Sequence, residues 1–143
     1  MEIQLRKMTM EHAQDVCRLS DQLGYPLSTT QIENNINEIT SSENYAAFVA
    51  LYNQQIVGCI YAFRALLIES KPFIEIGGLI VDENFRNSGI GKKLVEKIKV
   101  WALEKAINEV RVRSNVLRFE AHKFYLNNGF TEMKQQKVYQ ILL

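Results

Sequence analysis

The chain has 143 residues, a net charge of +1, and ordinary globular proportions of hydrophobic (47%) and charged (23%) residues. This length fits a single domain over residues 1–143, and the near-neutral charge argues against electrostatic capture of nucleic acid. No signal-peptide core opens the chain and no apolar run approaches the ~20 residues of a membrane span, so we expect a cytoplasmic protein with no membrane partner.

The first part of the chain predicts one strand and two helices. Polar and apolar residues alternate over Glu2–Met8, which is typical of a strand. A helix is predicted over Met10–Leu23, and Gly24 is suited to end it. A second helix is predicted over Ser28–Ile39, with a Thr-x-x-Glu capping box that begins at Thr30.

Three apolar runs follow, and each is predicted to be a strand: Tyr45–Tyr52, Ile56–Leu67 and Phe73–Val81. A short Asn-Gln-Gln turn joins the first two, which predicts a hairpin. The second run is apolar on both faces, as in a central strand with helices on both sides. The glycine pair Gly77 and Gly78 fits a β-bulge that frees backbone groups of the third run from the ladder.

The third run leads through a glycine-containing turn into a long amphipathic helix, Gly89–Ala106. Anions bind at helix N-termini, because the first N–H groups have no intrahelical partner and the helix dipole is positive there. Gly89 and Gly91 would let the backbone approach a phosphate closely. The candidate diphosphate-binding turn consists of Arg86, Asn87, Ser88, Gly89, Ile90, Gly91 and Lys92.

The spacing of this turn differs from that of two familiar phosphate loops. A Walker loop has four residues between its glycines and a Ser or Thr after its Lys, whereas one residue separates Gly89 from Gly91 and Lys93 follows Lys92. The dinucleotide fingerprint has Gly or Ala where Leu94 lies. The turn therefore belongs to neither class.

The last part of the chain predicts three further strands and one helix. The strands are Glu109–Ser114, Phe130–Lys134 and Val138–Leu142, and the helix is Arg118–Asn127, ended by Gly129. A hairpin together with a helical crossover requires antiparallel and parallel strand pairs in one sheet. The residues alone therefore predict an α/β domain with a mixed sheet.

The cysteines and histidines do not predict a metal site. Cys17 and Cys59 lie far apart in apolar stretches, with no Cys or His at a metal-ligand spacing. Cys17 shares a predicted helical face with Ala13, Val16 and Leu23, which favours a buried thiol over a nucleophile. We expect no metal and no disulfide.

Two motifs in this order resemble the GNAT superfamily of N-acetyltransferases. The Arg-x-x-Gly-x-Gly motif that begins at Arg86 is similar to its acyl-CoA-binding segment. The run Ala121–Phe130 is similar to its Ala-x-x-Phe-Tyr-x-x-x-Gly-Phe signature. The resemblance implies the GNAT α/β fold, a mixed and mostly antiparallel sheet of about seven strands with helices on both faces. The implied element order is β-α-α-β-β-β-α-β-α-β-β.

The resemblance also implies a reaction. Acetyl-CoA would be the acetyl donor, and a primary amine on a small molecule or protein would attack the thioester directly. The main chain of Leu79, Ile80 and Val81 would bind the pantetheine amides and polarise the thioester carbonyl. In the family this strand and the next splay apart, and the pantetheine arm fills the notch.

Three side chains are candidates for roles in this chemistry. Tyr125 is implied as the acid that protonates the leaving thiolate, because a phenol of pKa ~10 is protonated at neutral pH; a packing role is the alternative. Glu75, the only charge in its strand, is a candidate base, against an ordinary ion pair, for instance with Arg64, or ordered water as the base. Asn115 is a candidate cofactor contact, although many members carry this Asn where Arg118 lies here.

Other interpretations stay open at this point. One is a CoA-binding regulatory module of the same fold without catalysis, and another is a nucleotide-binding α/β domain unrelated to acyl transfer. Acceptor specificity is expected from residues 23–39 and from the Ile68–Pro72 loop, which leave the identity of the amine undetermined. The sequence also leaves a homodimer open.

Overall fold

One mixed sheet organises the computed structural model, which describes residues 1–143. Its five strands lie in chain order across the sheet: β1 (Gln4–Lys7), β2 (Tyr45–Tyr52), β3 (Gln55–Ala65), β4 (Phe73–Val81) and β5 (Val110–Val112). The four α-helices are α1 (Ala13–Gln22), α2 (Thr29–Thr40), α3 (Ile90–Glu104) and α4 (Phe119–Asn127). No helix combines the length and the apolar composition needed to cross a bilayer.

The pairing within the sheet confirms the predicted mixture of directions. The pairs β1–β2, β2–β3 and β3–β4 are antiparallel, whereas the pair β4–β5 is parallel. The predicted hairpin joins β2 to β3 through Asn53 and Gln54, whose φ angles of 49° and 64° are left-handed. Two left-handed residues give a turn whose twist matches that of the flanking strands.

Helices cover both faces of the sheet, as predicted. On one face, Leu19 of α1 and Ile32 and Ile36 of α2 join a buried cluster with residues of β2 and β3. On the other face, α3 packs directly on β3. A Cβ atom on Gly58 would lie 3.1 Å from Ile90 Cγ2, so only glycine allows this close approach without repacking.

The helix boundaries differ slightly from the predicted ones. The first helix begins with a 3₁₀ turn at Met10–His12 before α1, where the His12 ring accepts a hydrogen bond from the Thr9 amide (3.0 Å). The predicted capping box at Thr30 is wrong, because Ser28 is the N-cap of α2. Its hydroxyl accepts from the Gln31 amide at 3.1 Å, and Thr30 already lies inside the helix.

The prediction of two C-terminal strands, Phe130–Lys134 and Val138–Leu142, is also wrong, and the sheet has five strands rather than about seven. Residues 131–143 are exposed, including Val138 at 88% and Ile141 at 81%. An alternating pattern indicates a face that a strand would bury, but a strand also needs a ladder partner. No strand of the sheet pairs with these residues.

Residues 1–113 and 114–143 form two compact units, which are described separately below. The first contains the whole sheet, α1, α2 and α3, and the second contains α4.

Candidate active site

An open strand edge lies in the middle of the first unit. Only three residues of β4, Ile74, Glu75 and Ile76, pair with β5. Residues 77–81 of β4 extend beyond β5 and have no ladder partner in it. On its other side β4 stays paired with β3 as far as Val81. The pairing therefore ends where the resemblance implies a notch, and the backbone of Leu79 and its neighbours has no ladder partner in β5.

A β-bulge at the glycine pair marks the start of this open edge. The register between β3 and β4 shifts between Tyr61 and Ala62, which leaves Gly77 as the extra residue and confirms the predicted bulge. The ring of Tyr61 covers both glycines, since a Cβ on Gly78 would lie 2.8 Å from Tyr61 Cε1 and one on Gly77 would overlap the same ring. The glycines are needed because this aromatic ring lies directly on the backbone.

The turn after β4 presents its backbone to solvent. Asn87 and Gly89 adopt left-handed φ angles of 62° and 85°, and α3 begins immediately afterwards. Lys93 donates to the Gly89 carbonyl at 3.1 Å, so the N–H groups just before it have no carbonyl of the helix to donate to. A Cβ on Gly89 would meet nothing within 4 Å, which leaves this side of the turn open to a ligand.

The side chains of the turn divide into two groups. Arg86, Asn87, Ser88 and Lys92 are exposed, and the Ser88 hydroxyl donates to the Phe85 carbonyl within the turn. Ile90 and Gly91, in contrast, are buried against the rest of the first unit, with Ile90 only 1% exposed. These two residues can therefore offer a ligand only their backbone.

A buried carboxylate anchors the segment between β4 and the turn, and sequence reasoning did not identify it. Asp82 is 2% exposed and accepts from Arg18 Nη1 of α1 at 2.7 Å and from the Asn84 amide at 3.0 Å. Arg18 Nη2 also donates to the Ile56 carbonyl at 2.8 Å. Gln22, one helical turn further on, accepts from the Glu83 amide at 3.0 Å. The turn is thereby tied to α1.

The charge of Asp82 is stabilised by these partners. Burial alone would raise its pKa, but the Asn84 amide and the Arg18 guanidinium outweigh that effect and hold the pKa below its usual value. Asp82 is therefore ionised at neutral pH, where the ion pair with Arg18 is complete.

Glu75 lies on β4 opposite Phe63 of β3, on the sheet face that α1 and α2 cover. Its side chain is 14% exposed, and Arg113 Nε donates to Glu75 Oε1 at 3.1 Å. The partner of the carboxylate is therefore Arg113 rather than Arg64, which sequence reasoning suggested as an example. Tyr61 lies nearby, and its pKa is raised mainly by burial. Tyr45, Cys59 and Glu75 add smaller contributions in the same direction.

A cavity of about 480 Å³ opens between the two N-terminal helices and the strands β3 and β4. Its lining includes Tyr25, Leu27, Ile36, Tyr61, Gly78 and Ile80. The cavity therefore reaches β4 where the strand edge is open. It includes part of the segment 23–39 that was expected to select the acceptor, and Tyr61 is a wall residue that sequence reasoning missed.

The second unit contains the other two predicted site residues. The ring of Tyr125 contacts those of Phe124 and Phe130 edge to face, with centroids 5.3 and 5.4 Å away. Burial raises the pKa of Tyr125, and the charge of Arg118 opposes this shift in part. Asn115 Oδ1 accepts from the Leu117 amide at 2.9 Å, which closes the turn before α4.

The model of the acetyltransferase (GNAT) family matches residues 10–130 of the chain. The chain belongs to the GNAT family of acetyltransferases. The resemblance to this family that the two motifs indicated is thus confirmed. The matched residues include every predicted site residue.

Curated relatives in the GNAT family share parts of the chain. An uncharacterized N-acetyltransferase of Chlorobaculum tepidum is 43% identical over 83 residues, which cover 58% of this chain and 44% of the relative. A streptothricin acetyltransferase of Escherichia coli is 29% identical over 117 residues, which cover 79% and 64%. The chain thus spans less than two thirds of the length of these relatives.

Solved GNAT structures share the fold over nearly the whole chain. The aminoglycoside N-acetyltransferase AAC(6')-Iy, solved in complex with CoA, superposes with a TM-score of 0.88 at 21% identity, covering 98% of this chain and 95% of that one. The aminoglycoside antibiotic 6'-N-acetyltransferase AAC(6')-Ih from Acinetobacter baumannii superposes with a TM-score of 0.86 at 16% identity, covering 99% of both. At these identities the likeness concerns the fold.

Replacing Asp82 by Asn is expected to lower the free energy of unfolding by about 1–3 kcal/mol at pH 7, because Arg18 loses a charged partner. The folded-state pKa lies below the unfolded value of ~3.9, so this stabilisation is complete above that value and is lost as the pH falls through the folded pKa. Urea unfolding of both proteins at several pH values should show the difference shrinking in acid.

Asp15→Asn is the matched control. Asp15 lies 3.8 Å from the same guanidinium but is 42% exposed, so its loss should cost less than about 0.5 kcal/mol. Equal losses for the two variants would show that Asp82 contributes no more than a surface ion pair.

Proposed function

We propose that the protein is an acetyl-CoA-dependent N-acetyltransferase that moves an acetyl group to a primary amine. The observation that carries this proposal is the open edge of β4 leading into an exposed turn at the N-terminus of α3, in a member of the GNAT family. An amide-bearing arm can pair with an open strand edge, and an anionic diphosphate is stabilised at a helix N-terminus. Acetyl-CoA carries both groups in one molecule.

The donor would be held mostly by main chain. In this proposal Leu79, Ile80 and Val81 bind the pantetheine amides, and one of their N–H groups polarises the thioester carbonyl. The exposed N–H groups of the turn, with Arg86 and Lys92, bind the diphosphate. This division agrees with the burial of Ile90 and Gly91, since backbone binding does not require their side chains to be exposed.

The chemical step needs a neutral amine and a protonated leaving group. The amine nitrogen attacks the thioester carbonyl carbon, the carbon–sulfur bond breaks, and the sulfur leaves with the electron pair of that bond. We assign the proton lost by the nitrogen to Glu75 and the proton gained by the sulfur to Tyr125. The raised pKa of Tyr125 keeps the phenol protonated at neutral pH, as an acid must be.

A CoA-binding module without catalysis is the second candidate, and one observation favours it. Glu75 Oε1 already accepts a hydrogen bond from Arg113 Nε at 3.1 Å, so this oxygen is occupied by a partner within the protein. Incubation with acetyl-CoA and a panel of primary amines, followed by detection of free thiol, separates the two. Amine-dependent thiol release is expected, whereas tight acetyl-CoA binding without release would support the module.

The turn is tested by Gly89→Val, which should weaken acetyl-CoA binding by more than tenfold, or over ~1.4 kcal/mol. The new side chain would lie in the open space where the diphosphate approaches. The backbone φ of 85° at this position is also strained for any residue with a side chain. Calorimetric titration with acetyl-CoA measures the loss.

Gly24→Val provides the control for strain. Gly24 has nearly the same φ, 81°, and a Cβ there also meets nothing within 4 Å. Both variants should therefore lose similar stability, but Gly24→Val should keep its affinity for acetyl-CoA. Equal losses of affinity would place the diphosphate elsewhere.

Glu75→Gln should lower turnover by about 10²-fold with little change in acetyl-CoA affinity, because the amide cannot accept the proton. The comparison is Arg113→Gln, which removes the charge beside Glu75 but keeps the carboxylate. A base predicts that Arg113→Gln retains turnover, because the carboxylate remains, whereas Glu75→Gln loses it. A purely structural pair predicts equal losses of unfolding free energy and no loss of turnover in either variant.

Tyr125→Phe should lower turnover by about 10- to 1000-fold, or roughly 1.4–4 kcal/mol, while folding and cofactor binding survive. The loss should shrink with an acyl donor whose thiol has a lower pKa, since that leaving group needs less protonation. Tyr139→Phe is the control, because Tyr139 is 85% exposed and lies in the same unit. Unchanged turnover of Tyr125→Phe, with chemistry rate-limiting, would remove Tyr125 from the mechanism.

A further inference from the structure

The cavity beside β4 has the size of a small-ligand site. Its volume of about 480 Å³ lies within the ~300–1,000 Å³ that is typical of pockets for small organic molecules. It contacts β4 at Gly78 and Ile80, next to the strand edge assigned above to the donor. Given the proposed function, this cavity is the place where the acceptor amine would bind.

The walls of the cavity carry no charged side chain. Of the residues that line it, none is Asp, Glu, Lys, Arg or His. Burial raises the pKa of the Cys59 thiol to about 12, and the pKa of Tyr61 is raised as well, so both stay neutral at physiological pH. The deeper wall is formed by apolar side chains such as Ile32 and Ile36, which are 6% and 3% exposed.

Two polar side-chain atoms of the lining already have partners within the protein. The Ser20 hydroxyl donates to the Tyr25 carbonyl at 3.0 Å, and Asn35 Oδ1 accepts from Gln31 Nε2 at 3.0 Å. The carboxylate close to Tyr61 is Glu75, which is outside the lining and paired with Arg113. The lining therefore offers no counter-charge to an ammonium group other than the reacting amine, whose proton the proposed function assigns to Glu75.

We propose that the acceptor is a monoamine, a primary amine on an uncharged and mainly apolar or aromatic body; this inference rests on the proposed function. A second ammonium group inside these walls would lose its water without gaining a carboxylate, which is strongly unfavourable. Apolar surface on the acceptor, by contrast, would be buried against apolar walls and the Tyr61 ring. Polyamine antibiotics such as aminoglycosides do not fit this chemistry.

The test compares n-heptylamine with hexamethylenediamine, which has the same number of non-hydrogen atoms and replaces a terminal methyl group by a second ammonium. The value of kcat/KM, from thiol release with saturating acetyl-CoA, should be at least about tenfold higher for heptylamine. Equal use of the two amines, or a preference for the diamine, would overturn the inference and leave the proposed function standing.

A variant then tests whether the cavity sets this preference. Leu27 lines the cavity and is 47% exposed, so Leu27→Asp should fold and supply the missing counter-charge. The preference for heptylamine should fall several-fold in this variant. Leu103→Asp is the control, because Leu103 is 67% exposed on α3 and is not part of the cavity, and it should keep the preference. Equal preferences in Leu27→Asp and the parent protein would overturn the inference.

Binding separates this inference from the proposed function. If neither amine is acetylated, the proposed function fails for these acceptors, and calorimetric titration of both amines into the CoA-bound protein still decides the inference. Tighter binding of heptylamine supports a monoamine site. Equal binding, tighter binding of the diamine, or no binding of either overturns it.

Discussion

The site of this protein depends on the point where β4 loses its partner on one side. Pairing with β5 stops at Ile76, and the next residue, Gly77, is the extra residue of a bulge. Beyond it the strand keeps its ladder with β3 but exposes its other edge. The interruption provides unpaired backbone for a ligand, and it also aligns Gly78 and Ile80 with the cavity. One local irregularity thus lies where the open strand edge and the cavity meet.

The segment that follows β4 depends on an ion pair between distant parts of the chain. Asp82 is buried, and the guanidinium of Arg18 contacts both its carboxylate and the Ile56 carbonyl. The same helix, α1, also lines the cavity through Val16 and Ser20. α1 therefore contacts both the wall of the cavity and the backbone that leads into the turn.

The candidate site combines features that the sequence predicts to different degrees. The glycine turn, the bulge and the helix that follows are local features, and their residues alone predicted them correctly. The partner of Glu75 depends on tertiary packing, because Arg113, the residue that follows β5, is 38 residues away in the chain. The uncharged character of the cavity is a property of side chains drawn from two helices, their connecting loop and two strands, so no single segment indicates it.

The sequence by itself determined the fold class and the order of the elements from the first strand to α4, because periodicity, turn residues and the two motifs act over short distances. It also determined the open geometry of the turn, since the left-handed φ at Gly89 is a local requirement. Only the tertiary structure decided that Tyr61 covers the glycine pair, that Arg18 holds Asp82, and that residues 131–143 remain outside the sheet. These features depend on pairing and packing between residues far apart in the chain, and a pattern within one segment does not specify its partner.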